Sequence, residues 1–167
     1  MTSPTPTQRP LARDEEAVVR ALSRVITVIP RVMDADLMRE QRLPLSEYMA
    51  LMWLSEAPHR RMRMSELAAA CDLSLSGMTR VVTRLEAQGL VKRVKCAEDA
   101  RGLNAVLTDA GLARLEQAWP THLDSVRRHI IDHLDGLDLV RLARALERFG
   151  TAVEDPREPG TAGDASE

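Results

Sequence analysis

Apolar residues recur at helical spacing along most of the chain, and one stretch breaks that rhythm. From Arg13 onward, Val18, Leu22, Val25, Ile29 and Val32 alternate four and three apart, which predicts one apolar seam over several helical turns. Pro30 falls inside it and removes a backbone hydrogen bond, so a kink is expected there. Leu43-Pro44-Leu45-Ser46 reads as a break and a cap, with Ser46 starting a second helix from Glu47 to about Glu56. That helix carries Tyr48, Leu51, Met52 and Leu54 and closes at Ala57-Pro58. A basic loop, His59-Arg60-Arg61-Met62-Arg63, follows. Ser65 is placed to cap a short helix whose Leu67, Ala68 and Cys71 share one face. Asp72-Leu73-Ser74 is long enough only for a turn. Ser74 can then cap a further helix, in which Met78, Val81, Val82 and Leu85 form an inward stripe.

The period then changes from that of a helix to that of a strand. Gly89 stands where a left-handed residue ends a helix, and Leu90 can fold back on the last turn. Val91 to Cys96 and Leu103 to Leu107 read as a two-stranded ribbon around the tip 97–102, with Leu103, Ala105 and Leu107 alternating inward. Thr108 caps a long helix over 109–134, with Gly111 in its first turn, the apolar set Leu115, Leu123, Val126, Ile130, Ile131 and Leu134, and a bend at Pro120. Asp135-Gly136 turns the chain into a last helix, Leu137 to about Val153, carrying Leu139, Leu142, Leu146 and Phe149.

Helix, turn, helix, ribbon, helix is the order of a winged helix-turn-helix. The expected fold is mainly α with a small β-hairpin wing, flanked by N- and C-terminal dimerisation helices. The expected organisation is a disordered tail over 1–12, a dimerisation helix over 13–42, a DNA-binding lobe over 43–111, C-terminal dimerisation helices over 112–153 and a disordered acidic tail over 154–167. The terminal helices present more apolar surface than so small a lobe can cover, and a second copy of the same surface is the expected cover.

On the second motif helix, the inward stripe leaves Ser76, Gly77, Thr79, Arg80, Thr83 and Arg84 outward or sideways. Small hydrogen-bonding groups followed by guanidinium groups are what a helix in a DNA major groove requires. The ribbon adds Lys92, Arg93 and Lys95, and the loop before the motif adds Arg63 as a candidate phosphate contact. The stretch also resembles the MarR family of bacterial transcriptional regulators. The resemblance lies in Leu67-Ala68, the helix Ser76 to Leu85 with Thr79-Arg80 and Arg84-Leu85-Glu86, Gly89-Leu90-Val91, Asp99-x-Arg101, and Leu107-Thr108-x-x-Gly111. It implies that Ser76, Thr79, Arg80 and Arg84 enter the major groove, and that Arg101 reaches the minor groove while Asp99 orients it. Gly102 follows Arg101 where a more basic tip is common in the family.

The formal charge of -2 argues against nucleic acid only until it is mapped. Residues 60–108 hold nine Lys or Arg against five acids, net +4, and the remainder fourteen against twenty, net -6. One basic face on an acidic body presents a single side to DNA. With only four aromatic residues, the core must be Leu, Val, Ile, Ala and Met. Cys71 and Cys96 form neither a disulfide framework nor a metal-like pair, although Cys96 beside Lys95 raises the alternative of a redox sensor. His122, His129 and His133 along one helix raise that of a metal sensor. An interaction module without operator binding is the third alternative. Phosphate-binding glycine loops, nucleophile elbows and zinc-protease signatures are absent, so no enzyme and no cofactor is expected.

The expected function is therefore a ligand-responsive repressor. Its expected partners are double-stranded DNA as a pseudo-palindromic operator, a second copy of itself, and a small aromatic or anionic ligand. No ligand-binding residues are assigned, although Tyr48, Trp53 and Trp119 lie on elements that surround a cavity in MarR-like proteins. The absence of a signal-like segment or an apolar span gives a cytoplasmic expectation with no membrane partner.

Overall fold

In the computed structural model, which describes residues 9–95 and 103–154 (149 being the last with a described side chain), six helices surround a small antiparallel sheet. Helix α1 spans Arg13–Gln41 and opens on Asp14, Glu15 and Glu16, which suit the positive end of its dipole. It runs unbroken through Pro30. Only its last third is embedded, at Met33, Asp36 and Leu37, while Val18, Val25 and Ile26 are exposed.

Helix α2 spans Leu45–Glu56 and starts one residue before the expected Ser46. Ser46 makes no cap. The cap comes from α1 instead, where Asp34 Oδ1 accepts a 2.8 Å hydrogen bond from the Leu45 amide. The loop after α2 is also more ordered than its composition suggests: Pro58–Arg60 form a single 3-10 turn, and Arg61–Arg63 form strand β1. Helix α3, Met64–Ala70, also starts early, its cap at Arg63 two residues before the expected Ser65, because Glu66 Oε2 accepts from the Arg63 amide at 3.1 Å and Ser65 lies inside the first turn.

Helix α4 spans Leu75–Ala87 with Ser74 as its cap, and Met78, Val81, Val82 and Leu85 are buried as their spacing predicts. Gly89 takes a φ of 71°, the left-handed region that glycine enters without penalty. Strands β2, Val91–Lys95, and β3, Leu103–Leu107, pair antiparallel from Val91 opposite Leu107 to Lys95 opposite Leu103. Strand β1 lies on the other side of β3, Met62 opposite Ala105, so the wing root is three-stranded rather than two. Leu103 is exposed and Asn104 buried, contrary to the expected alternation at that end.

Helix α5, Asp109–His129, is capped by Thr108 and ends five residues short of the expected boundary. Ile130 leaves helical geometry, and Ile131–His133 form a 3-10 turn. Gly136, at φ 77°, turns the chain into α6, Leu139–Glu154, whose start is held by Asp138 Oδ1 accepting from the Val140 and Arg141 amides. The core lies between α2, α3, α4 and the sheet, with Tyr48, Leu51, Leu54, Leu67, Met78 and Leu85 fully buried.

Helix α5 carries the lobe back to α1. Gln41 Nε2 donates to Thr121 Oγ1 at 2.9 Å, and Arg114 donates to the Gln41 carbonyl oxygen. Buried Asp36 is the centre of this joint: Ser125 Oγ donates to it at 2.8 Å, Arg39 Nη2 at 2.6 Å, and His129 Nε2 lies 2.9 Å away. Burial alone would raise the Asp36 carboxyl. The hydrogen bonds from Ser125, His129 and Arg39 overcome that and hold it at about 2. The tails 1–8 and 155–167 lie outside the described residues.

Candidate nucleic-acid interface

The α3-turn-α4 unit is built by local chemistry. Asp72, at φ 51°, reverses the chain, and the Leu73 amide donates to the Ala68 carbonyl at 2.9 Å. Ser74 Oγ accepts from the Gly77 amide at 3.1 Å, satisfying one of the orphan donors at the helix start. With the apolar stripe of α4 turned to the core, Ser76, Thr79, Arg80, Thr83 and Arg84 are all exposed on the outer half.

Their chemical states differ. Arg80 is exposed and, among the described residues, makes no ion pair. Arg84 is half exposed, and its Nε donates to Glu47 Oε1 of α2 at 2.6 Å, while the Glu47 carboxylate is buried. The guanidinium is thereby fixed at one nitrogen. Thr79 Oγ1 donates to the Leu75 carbonyl and Thr83 Oγ1 to the Thr79 carbonyl, each at 2.8 Å, so both hydroxyls keep acceptor capacity and no free proton. Ser76 Oγ lies 3.1 Å from Ser74 Oγ.

The wing residues also divide. Arg93 of β2 turns onto α4: its Nη2 donates to the Thr79 carbonyl at 3.3 Å and to Thr83 Oγ1, its Nη1 lies 3.5 Å from Glu86 Oε2, and its amide donates to Glu86 Oε1 at 3.1 Å. It ties the wing root to α4. Lys92 and Lys95 are exposed, and Lys92 lies on the sheet face opposite Arg93. Arg63 is half-buried at the end of β1, and Arg60 of the same loop pairs with Asp109 Oδ1 at 2.9 Å. Asp99, Arg101 and Cys96 lie outside the described residues.

Glu47 and Leu75 are the interface residues that the sequence reading passed over. Glu47 sits on the stripe shared with Leu51 and Leu54, and a charge at a buried-face position was the available signal. Leu75, 55% exposed as the first residue of α4, is an apolar side chain on the polar face.

The residues of the alternative readings are dispersed. His129 binds Asp36, His133 falls beyond the end of α5, and His122 stacks on Tyr48 with ring centroids 4.4 Å apart. Among the described residues no three His, Cys, Asp or Glu side chains are grouped to hold a metal ion. Cys71 is half-buried, and burial, with Asp72 beside it, pushes its thiol up to about 11, away from the reactive thiolate. No described helix is long and apolar enough to cross a membrane. Among the described residues, the Tyr48 hydroxyl and His122 Nδ1 are buried without a hydrogen-bond partner, and burial lowers the His122 pKa, which favours the neutral ring.

Comparison with known proteins places these features in a family context. The MarR family model matches residues 43–102. The crystal structure of AbsC, a MarR family transcriptional regulator from Streptomyces coelicolor, is 37% identical, superposes with a TM-score of 0.78, and covers 88% of this chain and 99% of its own. That of Sco3205, a MarR family regulator from the same organism in complex with DNA, is 33% identical with a TM-score of 0.76, covering 95% of this chain and 97% of its own. The HTH-type transcriptional repressor YetL of Bacillus subtilis (strain 168) is 32% identical over 80 residues. That match spans 48% of this chain and 48% of YetL, about half the length of each.

Proposed function

The chain belongs to the MarR family of transcriptional regulators, not to a family of enzymes, and from that premise we propose that it is a homodimeric repressor that binds a pseudo-palindromic operator and releases it on binding a small molecule. The observation that carries DNA binding is the outer face of α4: capped, free of large groups at Ser76 and Gly77, and bearing the exposed guanidiniums of Arg80 and Arg84 within the stretch 60–108, whose net charge is +4. In this reading α4 lies in the major groove with Ser76, Thr79, Arg80, Thr83 and Arg84 towards the bases and flanking phosphates. Arg63, Lys92 and Lys95 meet the backbone, and Arg93 acts through its grip on α4. Arg101 would reach the minor groove, oriented by Asp99. That Sco3205, 33% identical to this chain, forms a complex with DNA supports DNA binding here.

Dimerisation is supported by the exposed apolar residues of the two terminal helices, Val18, Val25 and Ile26 on α1 and Leu139, Leu146 and Phe149 on α6. Two-fold symmetry would set half-site centres about 10 bp apart. Ligand response is supported by Tyr48 and His122, whose buried hydroxyl and Nδ1 lack partners among the described residues where α2 meets α5. An aromatic or anionic molecule bound there would act only as far as it favours one spacing of the two lobes over another. Such a regulator works in the cytoplasm, where the operator is.

The test is selection of duplexes from a randomised pool, followed by footprinting and light scattering. Two symmetrical protected half-sites and a mass twice 18.6 kDa are expected. A single half-site at saturation, or a monomer at micromolar concentration, would overturn the dimeric operator complex. Titration of the selected duplex with phenolic acids that raise the melting temperature then tests release. Unchanged affinity with every stabilising compound would overturn ligand control.

A further inference from the structure

Leu75, Thr79 and Thr83 recur every four residues along α4, so all three lie on one exposed strip of the recognition helix. Because both threonine hydroxyls are turned back onto carbonyls of their own helix, the γ-methyl groups are the parts of those side chains left to reach outward. Leu75 begins the strip, directly after the Ser74 cap, and is 55% exposed. With Met64, Thr79, Leu103 and Arg93 it lines a hollow of about 210 Å³ between α4 and the wing root. The Arg93 guanidinium is committed to Thr79, Thr83 and Glu86. A hydrocarbon strip therefore begins at the N-terminal end of the helix, where base edges are read, with Arg80 and Arg84 beside it on the same outer half.

Hydrocarbon left in water at such a point is unfavourable, and on the major-groove edge of DNA the one hydrocarbon group is the 5-methyl of thymine. We propose that Leu75, with the Thr79 methyl beside it, reads a thymine 5-methyl in each half-site, the pyrimidine edge entering the hollow below it. This makes Leu75 a specificity-determining residue. The inference rests on the DNA-binding reading above and adds a base to it.

The test uses the duplex selected from the randomised pool, with each thymine replaced in turn by deoxyuridine, which removes only the methyl group. At one thymine per half-site, replacement is expected to lower affinity about 4-fold, the value of one buried methyl-sized group. In Leu75→Ala the same replacement should cost nothing, while Leu75→Met, which retains the hydrocarbon, should keep the penalty. Because the residue is exposed, both variants are expected to melt with the wild type. Indifference to deoxyuridine at every thymine, or an equal penalty in Leu75→Ala, would overturn the assignment while leaving DNA binding intact. Failure of the selection to enrich any sequence would instead overturn the DNA-binding reading, and this inference with it.

Discussion

Glu47 Oε1 lies 2.6 Å from Arg84 Nε, joining a carboxylate that is 3% exposed on α2 to a guanidinium half in solvent on the recognition helix. The two ends of this pair are unequal. Arg84→Ala strands a buried charge, whereas Glu47→Gln leaves an arginine that water can solvate. Arg84→Ala is therefore expected to cost about 2 to 3 kcal/mol of stability and Glu47→Gln about 1 kcal/mol. Urea titration of both variants checks the order, and an equal or reversed cost would mean that the carboxylate is solvated after all.

Arg80 and Arg93, thirteen residues apart, should separate by assay. Arg80→Ala is expected to lose about 1 to 3 kcal/mol of operator affinity and to relax preference at one base position. Its stability should stay within about 0.5 kcal/mol of wild type. Arg93→Ala should lose about 1 kcal/mol of stability from its bonds to Thr79 and Thr83, and weaken operator binding through a loosened wing root. Paired melting and binding curves decide. A uniform loss across all DNA sequences for Arg80→Ala would make it a phosphate contact.

Gly111 is a packing requirement. A Cβ built there would lie 2.1 Å from the Leu90 carbonyl oxygen and 2.6 Å from Leu107 Cδ1, and backbone cannot give way as a flexible side chain can. Gly111→Ala is expected to destabilise the chain by about 3 kcal/mol. A melting temperature within one or two degrees of wild type would show that α5 can shift away from β3.

Asp36 makes the α1 to α5 joint acid-sensitive. Its carboxyl is lowered from 3.8 to about 2 in the folded chain, so the unfolded chain takes up the proton first as the pH falls. The stability it confers is complete above the unfolded value and is lost as pH falls through the folded one, a window from 3.8 down to about 2. Asp36→Asn is expected to cost about 1.5 to 3 kcal/mol at neutral pH and to flatten the acid limb of the stability curve. An acid limb identical to wild type would place the titrating group elsewhere.

What could be read beforehand followed the range of the interaction. Ser74, Gly89 and Thr108 act on groups within a few residues or on their own backbone, and each stands where its local chemistry put it. Ser46 and Ser65 carried the same signal but lost to partners with better geometry: Asp34, eleven residues back, and Glu66, reaching behind itself. Strand β1 is three residues long and exists only through pairing with β3, forty or more residues on, so no local period announced it. The expected end of α5 overshot the observed one for the opposite reason, because Ile130 and Ile131 extend the apolar pattern after the backbone has turned away. At the interface, the identity of the outward residues was legible from spacing alone. The partners were not, since Glu47 for Arg84 and Thr83 for Arg93 come from other elements or other faces.

Among the described residues of one chain, helix α1 is anchored near one end only. At 1.5 Å per residue, the stretch from Asp36 back to Arg13 is a rod about 35 Å long, projecting from a socket made by α5. A rotation of about 5° at that socket sweeps the far tip through about 3 Å, a displacement comparable to the spacing between adjacent base pairs. The joint around Asp36 thus has the geometry of a pivot with a long arm, one that would turn a few degrees of rotation into tip displacement on the scale at which DNA is measured.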